Sequence, residues 1–97
     1  MKNYTPNPIS TDHIELPNSL IQLTELLAKN THDTWAEKRM KEGWKCGAER
    51  DDKNMLHPDL IPYEQLSDEE KDYDRITAMQ ILKVILALGY KIVEPEK

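Results

Sequence analysis

Apolar residues recur at helical spacing in two separate stretches of the chain. In the first stretch, Leu20, Leu23 and Leu27 lie three and four residues apart, and a neighbouring apolar stripe continues as far as Trp35. Such a stripe is typical of a helix that buries one face. The pattern predicts a first helix over residues 17–42.

Local signals mark both ends of this helix and one weak point within it. Asn18 and Ser19 are candidate N-cap residues, next to Pro17, which a helix tolerates only before or in its first turn. Gly43 is placed to stop the helix. The polar run 30–33 competes for backbone hydrogen bonds, so a kink or break there is the alternative to one continuous helix.

The second apolar stretch follows a capping-box sequence. Ser67 and Glu70 have the spacing at which the serine oxygen accepts from the N–H three residues on and the glutamate reaches back. A helix over residues 68–88 is predicted, ended by Gly89. Its apolar residues surround most of the helix, which predicts a central, buried helix. They are Ile76, Ala78, Met79, Ile81, Leu82, Val84, Ile85, Leu86, Ala87 and Leu88.

The remaining residues predict irregular or extended structure. Residues 43–66 contain glycines and prolines together with aromatic and apolar residues, which indicates a long loop that packs against the helices. Residues 1–16 predict an extended arm across the domain, and Ile92 and Val93 a short extended tail. The expected fold is mainly α: two principal packed helices, a long aromatic-bearing loop and short extended terminal segments. It forms one domain over residues 1–97, with a core at 6–92 and frayed ends at 1–5 and 93–97.

Composition narrows the classes of partner and compartment. The 97 residues carry 13 Lys and Arg against 18 Asp and Glu, a net charge of −5, so nucleic acid is not an expected partner. A single cysteine, Cys46, forms no internal disulfide, and no apolar run suits secretion or a bilayer. We therefore expect a cytoplasmic protein without a membrane partner.

Catalytic and metal-binding signatures are lacking in the sequence. The three histidines, His13, His32 and His57, lie in different segments without paired ligand spacing. Cys46 has no accompanying signature of a nucleophile, and no phosphate-binding glycine loop is present. We expect no catalytic residues, no metal and no cofactor, and hence no enzyme.

One cluster of cations and an indole stands out in this acidic chain. Such a cluster can stack a planar ligand and hold an anionic group. The simpler interpretation is that Trp44 packs beneath the loop while the cations end the first helix, and base rates of tryptophan burial favour it. The candidate ligand-binding residues are Arg39, Lys41, Trp44, Lys45, His57 and Tyr63.

Four ordered segments resemble the RyR domain, the repeat first described in ryanodine receptors. They are residues 27–36 (LAKNTHDTWA), 43–47 (GWKCG), 57–66 (HPDLIPYEQL) and 70–75 (EKDYDR), and the ending at 88–90 (LGY) fits as well. The resemblance runs over about residues 6–92. One departure is Cys46, where the family commonly has an aromatic residue.

The resemblance implies a mostly helical fold and a regulatory role. In the receptors these repeats occur as tandem pairs in the large cytoplasmic portion and look like interaction modules; a free-standing domain looks like prokaryotic or phage members. The residues that the resemblance marks as structural motif are His32, Trp35, Gly43, Trp44, Gly47, Pro58, Asp74 and Gly89.

Two hypotheses for function follow. The first is a non-enzymatic interaction module that binds a protein partner or itself, because one partner helix does not readily cover a second helix that is apolar nearly all round. The alternative is a sensor of a nucleotide-like small molecule, which the family resemblance also implies. A concave pocket between the loop and the first helix would favour the sensor.

Overall fold

The computed structural model describes residues 3–95, and the first helix, α1, spans Asn18–Lys41. It is continuous through residues 30–33, which confirms the prediction of one unbroken helix. The polar run is satisfied within the helix, since the Thr31 hydroxyl donates to the carbonyl of Leu27 at 2.9 Å and Lys29 pairs with Asp33 at 3.5 Å. The expected polar N-cap is wrong, because Pro17 occupies that position without a side-chain hydrogen bond.

The second helix, α2, spans Asp68–Ala87 and has the predicted N-cap. The Ser67 hydroxyl accepts from the N–H of Glu70 at 3.2 Å. At the other end the N–H of Gly89 donates to Leu86 and that of Tyr90 to Ile85, the two bonds of a Schellman ending. Gly89 has φ 93°, which a residue with a side chain adopts only with strain.

The segment between the helices is more ordered than the predicted loop. It contains two short parallel strands, β1 (Lys45–Cys46) and β2 (Leu56–His57), and a 3₁₀ turn over Tyr63–Gln65. The register pairs Lys45 with Leu56 and Cys46 with His57. The segment therefore packs, as predicted, and also forms a small sheet that the sequence pattern did not reveal.

The core lies where α1, α2 and the inter-helix segment meet. Its buried apolar residues are Leu20, Ala28, Leu60, Tyr63, Leu66, Ala78 and Leu82. The N-terminal arm contributes Thr11, which is buried and donates to the Gln80 side chain at 3.1 Å. The predicted arm across the domain is thus confirmed at α2.

The expectation that α2 is a central helix buried on all sides is wrong. Its buried residues are Ala78 and Leu82, whereas Ile76 is 61% and Ile81 56% exposed. The neighbours of α2 are α1 and the inter-helix segment. Because they bury only one face of α2, apolar residues on the rest of its surface are exposed to solvent. The fold class is nevertheless confirmed as mainly α, with two packed helices.

A charged contact links the two helices at the surface. The Arg75 guanidinium donates to both carboxylate oxygens of Glu25 on α1, at 2.7 and 3.1 Å, and to Asp72 at 3.0 Å. This forked pairing lowers the pKa of Glu25. Neither helix of the described residues has the length and apolar character to cross a membrane. The predicted fraying of the ends falls partly on residues 1–2 and 96–97, outside the described residues.

Candidate ligand-binding site

A cavity of about 280 Å³ opens where α1, the inter-helix segment and the start of α2 meet. Aromatic, imidazole and carboxylate side chains share its wall with one leucine. We call it the acidic-aromatic pocket. Its lining residues are His32, Trp35, His57, Asp59, Leu66, Glu70, Tyr73 and Asp74.

Helical spacing places five of these residues. His32 and Trp35 lie three residues apart on α1, so they share one face of that helix. Glu70, Tyr73 and Asp74 lie at the corresponding three- and four-residue spacing on α2. Two helix faces therefore form opposite walls of the pocket.

The inter-helix segment closes the pocket with His57 and Asp59. His57 ends β2, whose pairing with β1 fixes the backbone there. The Nδ1 of His57 accepts from the backbone N–H of Asp59 at 3.0 Å, which leaves the ring proton on Nε2. A short loop is thereby held in one conformation beside α1.

Aromatic and imidazole rings run in a row from the core to the surface. Ring centroids lie 6.2 Å apart between Tyr63 and His32, 5.6 Å between His32 and Trp35, and 5.0 Å between Trp35 and His57. The row ends at Trp44, 6.4 Å from His57. Such contacts between ring faces and edges stabilise packing, so this wall is preorganised.

Glu70 is the most perturbed acid of the pocket. Its Oε2 atom is buried without a hydrogen-bond partner, and the predicted bond back to the Ser67 N–H is not made among the described residues. With both carboxyls ionised this oxygen has no donor, whereas a proton shared with Asp59 would supply a hydrogen bond; this, together with burial, raises the pKa of Glu70 to about 7. The charges of Asp59 and Glu69 act in the same direction, and His32 acts against them.

Asp74 is also affected by its surroundings. Burial raises the pKa of this carboxyl, and the neighbouring His32 acts in the opposite direction. Acids with raised pKa values in a concave site are a recurrent sign of function. The pocket thus places three carboxyls next to aromatic rings.

The candidate ligand-binding residues from the sequence do not form one site. Arg39 and Trp44 do come together, with the guanidinium carbon 4.8 Å from the ring centroid. Trp44 is half-buried rather than fully buried beneath the loop. Of the six candidates, His57 lines the acidic-aromatic pocket.

The other three candidates point elsewhere. Lys41 pairs with Glu37 at 3.5 Å and lines a shallow groove with Pro62, and Lys45 is exposed on β1. Tyr63 is a core residue, 2% exposed. Burial and then the nearby Glu25 carboxylate raise the pKa of its phenol.

The residues of the predicted structural motif occupy structurally demanding positions. Gly43 has φ 101° and Gly89 has φ 93°, and each lies just beyond the end of a helix. A Cβ on Gly47 would lie 2.8 Å from the Cβ of Leu56, so the approach of β1 to β2 requires glycine. Pro58 is half-buried, Trp44 ends the ring row, and the remaining members line the pocket: His32, Trp35 and Asp74.

Sequence reasoning missed the acidic side of this site. The sequence pattern accounts for Glu70 by helix capping and for Asp74 by the family resemblance, and it indicates no ligand-binding role for Tyr73 or Asp59. The signal that points to them is the spacing of Glu70, Tyr73 and Asp74, which puts two carboxyls and a phenol on one helix face. Across residues 3–95, His, Cys, Asp and Glu do not form a group of three or more arranged to hold a metal ion.

The amino-acid sequence also matches a known protein family. The family model described as RyR domain matches residues 4–94, which is nearly the whole chain. The match includes both helices, β1, β2 and every residue that lines the acidic-aromatic pocket. The resemblance found in the four sequence segments is thus confirmed, and the chain belongs to the RyR domain family.

Proposed function

We propose that this RyR domain is a non-enzymatic recognition module that binds its target in the acidic-aromatic pocket. The observation that carries the proposal is the buried Oε2 of Glu70, which has no hydrogen-bond partner within residues 3–95. A buried acceptor without a donor is unfavourable, and a bound target with a donor group would satisfy it. Small binding sites are typically concave and mostly apolar with a few such polar groups.

A protein is the target class that we propose. Ile76 and Ile81 on α2 are each more than half exposed, and these apolar side chains support a protein contact or self-association. A cytoplasmic setting belongs to the same proposal, since Cys46 is an exposed free thiol. Sedimentation of the purified domain over a range of concentrations tests the self-association.

The nucleotide-like sensor has less support. The pocket between the loop and α1 exists, but three carboxyls line it and would repel phosphate groups. Arg39 and Trp44 stack on each other and are not among the residues that line it. Nucleotides remain the test compounds that would restore this alternative.

Thermal unfolding with compounds of different charge tests the proposed function. The panel contains nucleotides with ADP-ribose-type fragments, organic amines and guanidines, and neutral amides. A compound at 100 times its Kd stabilises the folded state by about 2.7 kcal/mol. We expect a saturable rise in the unfolding temperature with the amines and guanidines or with the neutral amides, whereas a rise with nucleotides alone would favour the sensor.

Two exposed tyrosines offer a matched pair of variants for this test. Tyr73 lines the pocket and is 71% exposed, whereas Tyr90 lies beyond the end of α2 and is 68% exposed. Tyr73→Ala should reduce the stabilisation and Tyr90→Ala should preserve it. Equal stabilisation in both variants, or none with any class of compound, would contradict the proposed function.

A further inference from the structure

We infer that the acidic-aromatic pocket takes a guanidinium group, the head group of an arginine side chain. The inference rests on the proposed function and names the chemistry of its target. It is carried by the juxtaposition of three carboxyls, Asp59, Glu70 and Asp74, with the rings of Trp35 and Tyr73 around one small cavity.

The first argument is charge. The carboxyls reach the pocket from two sides, Asp59 from the inter-helix segment and both Glu70 and Asp74 from α2. The two basic side chains next to these carboxyls along α2 have other partners, since Lys71 places its Nζ over the ring of Tyr63 at 5.6 Å and Arg75 pairs with Glu25 and Asp72. Tyr63 belongs to the core and not to the pocket lining. A cationic ligand would therefore complete the charge pairing in the pocket.

The second argument is the number of donors. A guanidinium group carries five N–H donors in a planar fork, whereas an ammonium group is a compact point charge. Carboxyls that approach from different directions, one with a buried and unpartnered oxygen, match several diverging donors. A planar cation also stacks on aromatic faces, and Trp35 and Tyr73 supply these.

The third argument is size. A cavity of about 280 Å³ lies at the lower limit for drug-sized ligands, which occupy pockets of about 300–1,000 Å³. One long side chain or a small metabolite suits that volume better than a whole nucleotide. The same guanidinium chemistry is found in free arginine and in an arginine residue of a protein.

The test is a titration followed by amide NMR spectra of the full chain. The probe is N-acetyl-arginine amide, and its control is N-acetyl-citrulline amide, which has nearly the same shape without the charge. Arginine should shift the amide signals of His57, Asp59 and the first turns of α2 with a Kd about tenfold or more below that of citrulline. Free arginine as a further probe distinguishes a metabolite from a residue within a chain.

Two neighbouring glutamates provide matched variants. Glu70→Gln removes a pocket carboxyl, and Glu69→Gln makes the same change on an exposed residue of the same turn. At about pH 8, Glu70→Gln should weaken the arginine probe about tenfold, and Glu69→Gln should leave it nearly unchanged. The amide spectra show whether each variant is folded.

Three outcomes would overturn the inference. They are citrulline binding as tightly as arginine, N-acetyl-lysine amide binding more tightly than arginine, and a divalent cation alone displacing the arginine probe from these amides. If a neutral amide of the unfolding panel binds in the pocket instead, the guanidinium inference fails while the proposed function stands, and binding of a nucleotide there overturns both. If no compound shifts the pocket amides, both fail.

Discussion

The Nε2 atom of His32, in the middle of α1, lies 2.7 Å from the carbonyl oxygen of Ile61 in the inter-helix segment. Since a carbonyl oxygen only accepts, Nε2 carries the proton and donates it. His32 is 4% exposed, and its ring also contacts those of Trp35 and Tyr63. One buried histidine thus holds the inter-helix segment against α1 and forms part of the pocket wall.

Loss of this bond should destabilise the fold. His32→Leu leaves the Ile61 carbonyl without its donor, at a cost of about 1–3 kcal/mol in the free energy of unfolding. His13→Leu changes an exposed histidine and should alter that free energy by less than about 0.5 kcal/mol. Urea denaturation measures both. Equal losses in the two variants would contradict the structural role of His32.

Adjacent residues on α2 test which face of the helix is buried. Leu82 is 7% exposed and Ile81 56% exposed. Leu82→Ala should lower the free energy of unfolding by about 2–5 kcal/mol, because it removes packed side-chain atoms from the core. Ile81→Ala should cost less than about 1 kcal/mol. If the two substitutions cost the same in urea denaturation, the one-sided packing of α2 is wrong.

The approach of the two strands predicts a contrast between two glycines. Gly47→Ala brings a methyl group to 2.8 Å from the Cβ of Leu56, so β2 and the adjoining His57 have to shift. Gly89→Ala meets no atom within 4 Å but strains a backbone with φ 93°. Each substitution should lower the free energy of unfolding by about 1–2 kcal/mol. Only Gly47→Ala should move the amide signals of the pocket, and an unchanged spectrum would contradict this account of the strand pair.

The pKa of Glu70 predicts how stability varies with pH. Folding raises this pKa from its ordinary value of 4.5 to about 7, so the folded state holds the proton more tightly. This contribution to stability is complete below about pH 4.5 and is lost as the pH rises through about 7, a decrease of at most about 3 kcal/mol. Urea denaturation across this range measures it.

The other charged groups around Glu70 make a control necessary. They come from every element of the pocket. Glu70→Gln should flatten the decrease in the free energy of unfolding with pH, and Glu69→Gln should keep most of that decrease. The same pH profile in wild type and Glu70→Gln would show that another group is responsible. These groups are His32 on α1, His57 and Asp59 in the inter-helix segment, and Glu69 and Asp74 on α2.

The helices could be predicted because their signals are local. Apolar spacing, the Ser67 cap and the glycines at 43 and 89 act within a few residues of the ends that they define. The strands could not be predicted in this way, because two residues each at β1 and β2 are too few to establish an alternating pattern. Their pairing depends on contacts between segments.

The pocket was predictable only in part for the same reason. The sequence predicts His57 as a ligand-binding residue of this site. It also predicts Arg39, Lys41 and Lys45, which are close in sequence but do not line the pocket. The acids Asp59 and Glu70 are separated along the chain and meet only when α2 packs against the inter-helix segment. Glu70 also fits a capping box, and that local interpretation concealed its place in the pocket.

The most direct test of the central claim is the Kd of N-acetyl-arginine amide for wild type and Glu70→Gln at about pH 6 and about pH 8. Wild type should bind more tightly at the higher pH, because the Glu70 carboxyl, whose pKa is raised to about 7, is then mostly charged. Glu70→Gln should bind weakly at both values, with a smaller difference between them, because the variant lacks the carboxyl that gains its charge over this range. Identical affinities of the two proteins at both pH values would contradict the claim that the pocket recognises a cation through Glu70.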